Sequence, residues 1–254
     1  GSIHGNLAVM EKTEALVIRV TDFSETSRVV TLFTRDVGKL SALAKGGRRL
    51  KGPFEAALDL LARCQIVFLR KSTASLDLLT EARLLSRFRP EGRHLEGLYG
   101  GYYVAELLGG VTEEHDPHEL LYDEAVRALD HLASGGDVRL PLLRFELATL
   151  REIGQFPVLD VCVTCGLPVT GDGRFAFWAS GGGLICSRCQ KPEYRNQSIE
   201  AETARLLRQL AELAEHEPEP EVPAERLAEM RRVMTPAICH VLERRPKMLK
   251  YLPL

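Results

Sequence analysis

Between Thr13 and Phe88 the hydrophobic residues come in short runs broken by turn formers, the pattern of strands rather than helices. Residues 15–20 (ALVIRV) form one such run. Residues 27–34 (SRVVTLFT) and 39–44 flank RDVG at 35–38, which reads as a hairpin turn. Residues 58–69 and 76–85 add two more candidates across the polar tip at 70–75. Five closely spaced strands favour a small closed barrel, because closure leaves no exposed sheet edge. The oligonucleotide-binding (OB) fold is the commonest five-stranded solution.

Beyond Pro90 the period becomes helical. Leu95, Leu98, Tyr99, Tyr102 and Ala105 fall at i, i+3, i+4, i+7 and i+10, one stripe of a helix. Asp116-Pro117-His118-Glu119 offers an N-cap, a proline at N1 and a glutamate at N3, so a helix is expected from there to Ala133, stopped by Ser134-Gly135-Gly136. Further helices fit 140–153, 198–214 and 224–242, the last two split by the linker HEPEPEVP. The expected organisation is multidomain α+β. Residues 1–12 form a tag or flexible start, with Gly1-Ser2-Ile3-His4-Gly5 reading as an expression scar. An OB barrel follows over 13–90 and a helical domain over 91–156. A cysteine module is inserted at 157–195, and the helical domain resumes over 196–254.

That insertion carries the sharpest local signal. Cys162-x2-Cys165 and Cys186-x2-Cys189 each aim two thiolates at one point, and two such pairs complete a tetrahedron around Zn²⁺. Paired disulfides or plain buried thiols are the competing readings; an intracellular chain disfavours the first, and cysteines so spaced seldom occur as plain core residues. Four thiolates leave no open position for water, so the zinc is expected to be structural rather than catalytic. The segment's Arg174, Arg188, Lys191 and Arg195 stand against Asp160, Asp172 and Glu193, too nearly balanced for a phosphate-tracking finger. Cys64 and Cys239 lie alone in apolar surroundings and are expected to be buried thiols.

Composition changes the picture only when it is divided. The 254 residues suit about two domains at roughly 150 residues each. No apolar run reaches the length of a membrane span and no secretion signal is visible, so a cytoplasmic protein is expected. The net charge of −2 argues against nucleic acid. Yet residues 1–90 hold 15 Lys/Arg against 9 Asp/Glu, and the remainder holds 18 against 26. A basic part is joined to an acidic one.

The positive charge concentrates in Arg35, Lys39, Lys45, Arg48, Arg49 and Lys51, around the hairpin and Gly46-Gly47. Basic, glycine-containing loops suit a phosphate backbone, and a solvated charged face is the blander alternative. GRRLKG is not a nucleotide phosphate loop, because Gly52 is followed by Pro53 and not by Lys and Ser/Thr. Phe23 and Phe54 flank the cluster, placed either to stack bases or simply to pack. Arg244, Arg245, Lys247 and Lys250 form a second basic group, either extending a DNA path or capping the last helix through its dipole. His115-x2-His118 has the look of a metal pair, although helix-start chemistry accounts for it. Tyr99, Tyr102 and Tyr103 beside Gly97, Gly100 and Gly101 suit a partner groove or close helix packing. No catalytic motif is visible, so an enzyme is not expected.

The whole pattern resembles the RecO family of bacterial recombination mediators. The likeness rests on EALVIRV, ETSRVVTLFTRDVGKL and AKGGRRLKGP in the first part. It rests equally on LREIGQFPVLDVCVTCG and GGGLICSRC around the cysteines, and on RRPKMLKYL near the end. Gly52-Pro53 departs from the small polar residue that the family pattern has after Lys51. The resemblance implies a non-enzymatic protein of DNA repair that binds single- and double-stranded DNA and anneals complementary strands. It also implies work with RecR to load RecA on strands coated by single-strand-binding protein, whose acidic tail the helical part would bind. The alternative is a zinc-stapled protein-binding adaptor whose barrel never meets DNA.

Overall fold

Alternation along VMEKTEALVIRVTD gives a strand, β1 (Val9–Asp22), long enough to serve two neighbours. Its first half pairs antiparallel with β4 (Arg63–Arg70), from Val9 opposite Arg70 to Leu16 opposite Arg63. Its second half pairs with β2 (Arg28–Thr34), with the register shifted between Val17 and Arg19. That irregularity bends the strand so that it can leave one partner and join the other. A computed structural model describes residues 8–49, 54–71, 76–214 and 217–254. β2 turns through RDVG into β3 (Gly38–Ala44), with Gly38 at φ +83°. Gly38 admits no side chain: a Cβ there would sit 2.3 Å from the Asp116 carbonyl oxygen.

β4 pairs antiparallel with β5 (Asp77–Ser86), and β5 meets β3 in parallel through Ala42 with Asp77 and Leu43 with Leu78. The order β1-β2-β3-β5-β4 closes the OB-like barrel. All five strands contribute to its core, among them Val17, Leu32, Leu40, Phe68 and Leu79, and Phe54, Ala57 and Leu58 join it from a short 3₁₀ turn between β3 and β4. Residues 9–12, expected to be flexible, are instead the first turn of pairing in β1. Their partners at 67–70 lie on a strand whose other side is held by β5.

The chain divides into two compact units, Gly1–Gly135 and Gly136–Leu254, so the first two helices belong with the barrel. In α1 (Leu95–Val111) the predicted stripe is not the core face. Leu95 is 57% exposed and Leu98, Tyr99 and Tyr102 are half-buried, while Gly97, Gly100, Gly101, Val104 and Leu108 are buried. The reason is proximity. A Cβ at Gly97 would lie 2.5 Å from the Leu132 carbonyl oxygen, and one at Gly100 2.8 Å from the Leu132 side chain. Bare backbone lets α1 reach α2 (Glu119–Ala133) more closely than side chains would permit. α2 also begins later than expected: Asp116 does not cap it, and its carboxylate instead meets His118 Nε2 at 3.1 Å.

In the second unit α3 (Arg139–Glu152), α4 (Ala201–Glu212) and α5 (Ala224–Leu242) pack together. Buried Glu146 of α3 is bound by both terminal nitrogens of Arg231 from α5. Between α3 and α4 lies a small antiparallel sheet, order β7-β6-β8, of β6 (Arg174–Trp178), β7 (Gly183–Cys186) and β8 (Ser198–Glu200). The expected helix at 198–214 therefore yields its first three residues to β8. Among the described residues, no helix is long and apolar enough to cross a membrane.

Candidate metal centre and basic turn

Each CxxC segment folds into a tight knuckle. Cys162 N–H donates to Leu167 O and Gly166 N–H to Cys162 O, at 2.8 and 2.9 Å, with Gly166 at φ +75°. In the second knuckle Cys189 and Gln190 both donate to Cys186 O at 3.0 Å. Val158 and Val163 hydrogen-bond to the Gly182–Leu184 stretch and bring the two knuckles together. As a result the four Sγ atoms lie within 4.8 Å of one another, and Cys165 and Cys186 sulfurs are 3.7 Å apart. A tetrahedral ion with sulfur at about 2.3 Å requires sulfurs about 3.8 Å apart, so the spacing fits such an ion.

The knuckle backbone favours the thiolate at Cys162 and Cys186. Burial alone raises the Cys162 thiol, but N–H groups of Cys165, Cys186 and Thr164 outweigh it and bring it down to about 6. The Cys186 N–H donates to Cys162 Sγ at 3.3 Å. Cys186 is lowered in the same way, against its burial, by the N–H groups of Cys189 and Arg188. Cys189 is pushed up to about 12, first by its hydrogen bonds to Cys165 and Cys186. Among the described residues this is the only cluster of three or more His, Cys, Asp or Glu arranged to hold a metal. His115 and His118 form no such pair: each meets a carboxylate, Asp77 and Asp116 respectively. Cys64 is fully buried, and Cys239, expected to be buried, is half-buried.

The basic cluster divides. Arg35 makes a bidentate pair with Asp123 of α2, both bonds at 3.1 Å, and also meets Glu119. Lys39 donates to the carbonyls of Gly109 and Thr112 at the end of α1, at 2.8 and 2.5 Å. Its burial lowers the ammonium pKa, with Glu113 and Glu114 opposing. Both cations serve the contact between barrel and helices inside the first unit. The turn at 45–49 is different. Gly46 takes φ +79°, Arg48 N–H donates to Thr26 O at 3.1 Å, and Arg48 Nη1 donates to Ser24 O at 2.6 Å. Arg48 also stands 3.6 Å from Asp22, which lies 3.3 Å from Arg28. Lys45 and Arg49 are exposed and have no ion pair among the described residues. Lys51, with Gly52-Pro53, lies outside the described residues.

The N-terminal model of recombination protein O matches residues 9–88, and its C-terminal model matches residues 93–250. This chain belongs to the RecO family. Similar proteins named DNA repair protein RecO include one from Rhodopirellula baltica, 43% identical over 82% of this chain and 76% of that protein. Another, from Anaeromyxobacter sp., is 34% identical over 92% of both. A third, from Listeria monocytogenes, is 29% identical over 78% of this chain and 76% of that protein. The resemblance read from the sequence therefore holds across both halves of this RecO chain.

Within this family member, Arg28 is the basic residue that charge counting passed over. Counting back from the RDVG turn pairs Arg28 with Ala44, beside Lys45, so hairpin register held the signal. Phe54 packs in the barrel core, whereas Phe23 is 63% exposed. In the tail, Arg244, Arg245, Lys247 and Lys250 are exposed and all lie beyond Leu242, the end of α5. The last turn of that helix itself carries His240.

Proposed function

We propose that this chain is a non-enzymatic mediator of DNA repair and recombination. It binds single- and double-stranded DNA, anneals complementary strands and, with RecR, promotes RecA loading on strands coated by single-strand-binding protein. The coat protein's acidic tail would dock on the helical part, and the site of action would be the cytoplasmic nucleoid. The observation that carries this reading is the ordered basic turn of an OB-like barrel in a member of the RecO family. Lys45, Arg48, Arg49 and Lys51 would neutralise phosphates on two strands and lower their repulsion while bases find partners. Arg35 and Lys39, held internally, would shape the barrel rather than touch DNA. The tail cations are a second candidate contact.

The metal is proposed to be one structural Zn²⁺ held by Cys162, Cys165, Cys186 and Cys189. Soft thiolates in a tetrahedral array suit zinc, and four of them fill its coordination. The ion would fix the knuckles and do no chemistry on DNA.

Salt titration tests the DNA site. Four cations on single-stranded DNA give a slope of log affinity against log salt of about −3, a loss of roughly 50-fold between about 50 and 200 mM salt. Replacing Arg48, Arg49 and Lys51 by alanine should flatten the slope by about 2 and slow annealing. An unchanged slope with intact partner binding would favour the adaptor reading.

A further inference from the structure

The turn joined to the basic one by Arg48 presents an aromatic ring in a place where packing does not explain it. Phe23 is 63% exposed, although a phenylalanine normally gains by burial. Its neighbours Asp22, Ser24, Glu25, Thr26 and Ser27 are all polar. A protein-docking surface is built from a contiguous apolar patch, and a single ring among polar residues is not one. A nucleic-acid base needs only one ring face.

The backbone under the ring is ordered in advance. Phe23 N–H donates to Ser27 O at 3.0 Å, Ser24 N–H to Ser27 O at 3.3 Å, and Ser27 N–H to Ser24 Oγ at 3.1 Å. Arg48 ties this turn to the 45–49 turn through Ser24 O and Thr26 O. A ring held on such a turn loses little freedom when something stacks on it. The charges around it are sorted as well. Asp22 lies beside both Arg28 and Arg48 and is compensated, Glu25 is the other acid of the turn, and Lys45 and Arg49 remain for phosphates.

We propose that Phe23 is a stacking platform for an unpaired base, giving the basic turn a preference for single strands over duplex. In a duplex each base face is already covered by its neighbours, so only cations can engage it there. On a single strand the ring adds a term that phosphates cannot supply. This inference rests on the DNA-binding reading given above and assigns one residue and one class of ligand within it.

The test uses the full, metal-loaded chain, with an oligo-dT of about 20 nucleotides and a duplex of the same length as probes. Phe23→Ala and Phe23→Leu should weaken binding of the oligo by about 5- to 150-fold and leave duplex affinity within about 2-fold. The salt slope should stay unchanged, since no charge is lost. Phe23→Trp should restore binding. In a Trp178→Phe background, Trp at position 23 is the sole indole, and the oligo should quench its emission where the duplex does not. The exposure of Phe23 predicts unchanged melting temperatures for all these variants.

Equal loss on both probes would overturn the platform, since it would make Phe23 a support of the turn. So would parental binding by Phe23→Ala while the Arg48/Arg49/Lys51 variant still flattens the slope; that result leaves the DNA-binding reading standing. Failure of the parent chain to bind either probe would bring down the DNA-binding reading itself.

Discussion

The barrel and the cysteine module are both β structures of modest size, and they solve the problem of stability by opposite routes. The barrel draws buried residues from all five strands around one core. The module has strands of five, four and three residues, and its buried apolar side chains are Leu159, Val169, Phe175, Ala176, Phe177, Leu184, Ile185 and Ile199. So small a core leaves little to offset the entropy of ordering the two knuckles, and on the proposed zinc reading metal ligation would supply the difference. The barrel should therefore answer to changes of volume and the module to changes of ligand.

The largest effect expected from that contrast is on the module. Removing the metal with a chelator, or substituting Cys165→Ser, should expose residues 157–200 to limited proteolysis while the first unit keeps its protection. Structural zinc is worth about 10–16 kcal/mol in zinc-finger peptides, as much as the whole stability of a typical domain. A module still resistant after metal loss would show that its apolar residues suffice. Next comes the barrel core: Phe68→Ala should cost about 3–5 kcal/mol in urea unfolding of the first unit, with metal content unchanged. Gly97→Ala should cost about 1–3 kcal/mol by forcing α1 away from the Leu132 carbonyl, measurable by the same unfolding curve.

The smallest effect is on pH dependence. Burial, then the charge of Glu14, pushes the Cys64 thiol up to about 12, against about 9 when unfolded. A thiol that ionises more readily in the unfolded chain gives no penalty below pH 9 and an increasing one from pH 9 to 12. Cys64→Ala should remove about 1 kcal/mol of the alkaline loss at pH 10. An identical pH slope in the variant would assign the loss to other groups.

Much of this contrast was legible before any coordinates. Short apolar runs between turn formers named the strands of the barrel, and ligand spacing named the metal centre, because both are short-range codes. The stripe on α1 misled because hydrophobicity and burial part company where glycine permits close approach: Gly97 and Gly100 are invisible to a hydrophobic count yet make the contact. The charge cluster misled for a related reason. Arg35 and Lys39 look like their neighbours in sequence, and only the positions of Asp123 and of the α1 carbonyls show that they are already engaged. Phe23 lies among polar residues and Phe54 ahead of Ala56, Ala57 and Leu58, and tertiary packing follows that difference.

The barrel's closure has one thin seam. β3 and β5 share only Ala42 with Asp77 and Leu43 with Leu78, and beyond them the edge of β3 is covered by the loop before α2, where His115 N–H donates to Lys39 O at 2.8 Å. Every other junction in the barrel is a long antiparallel ladder. When the barrel breathes, it should part along this line, with amide protons near Leu43 and Leu78 exchanging well before those of β1 and β4. A cylinder that opens at one seam can widen briefly and reseal without losing the ladders that hold the basic turn in place.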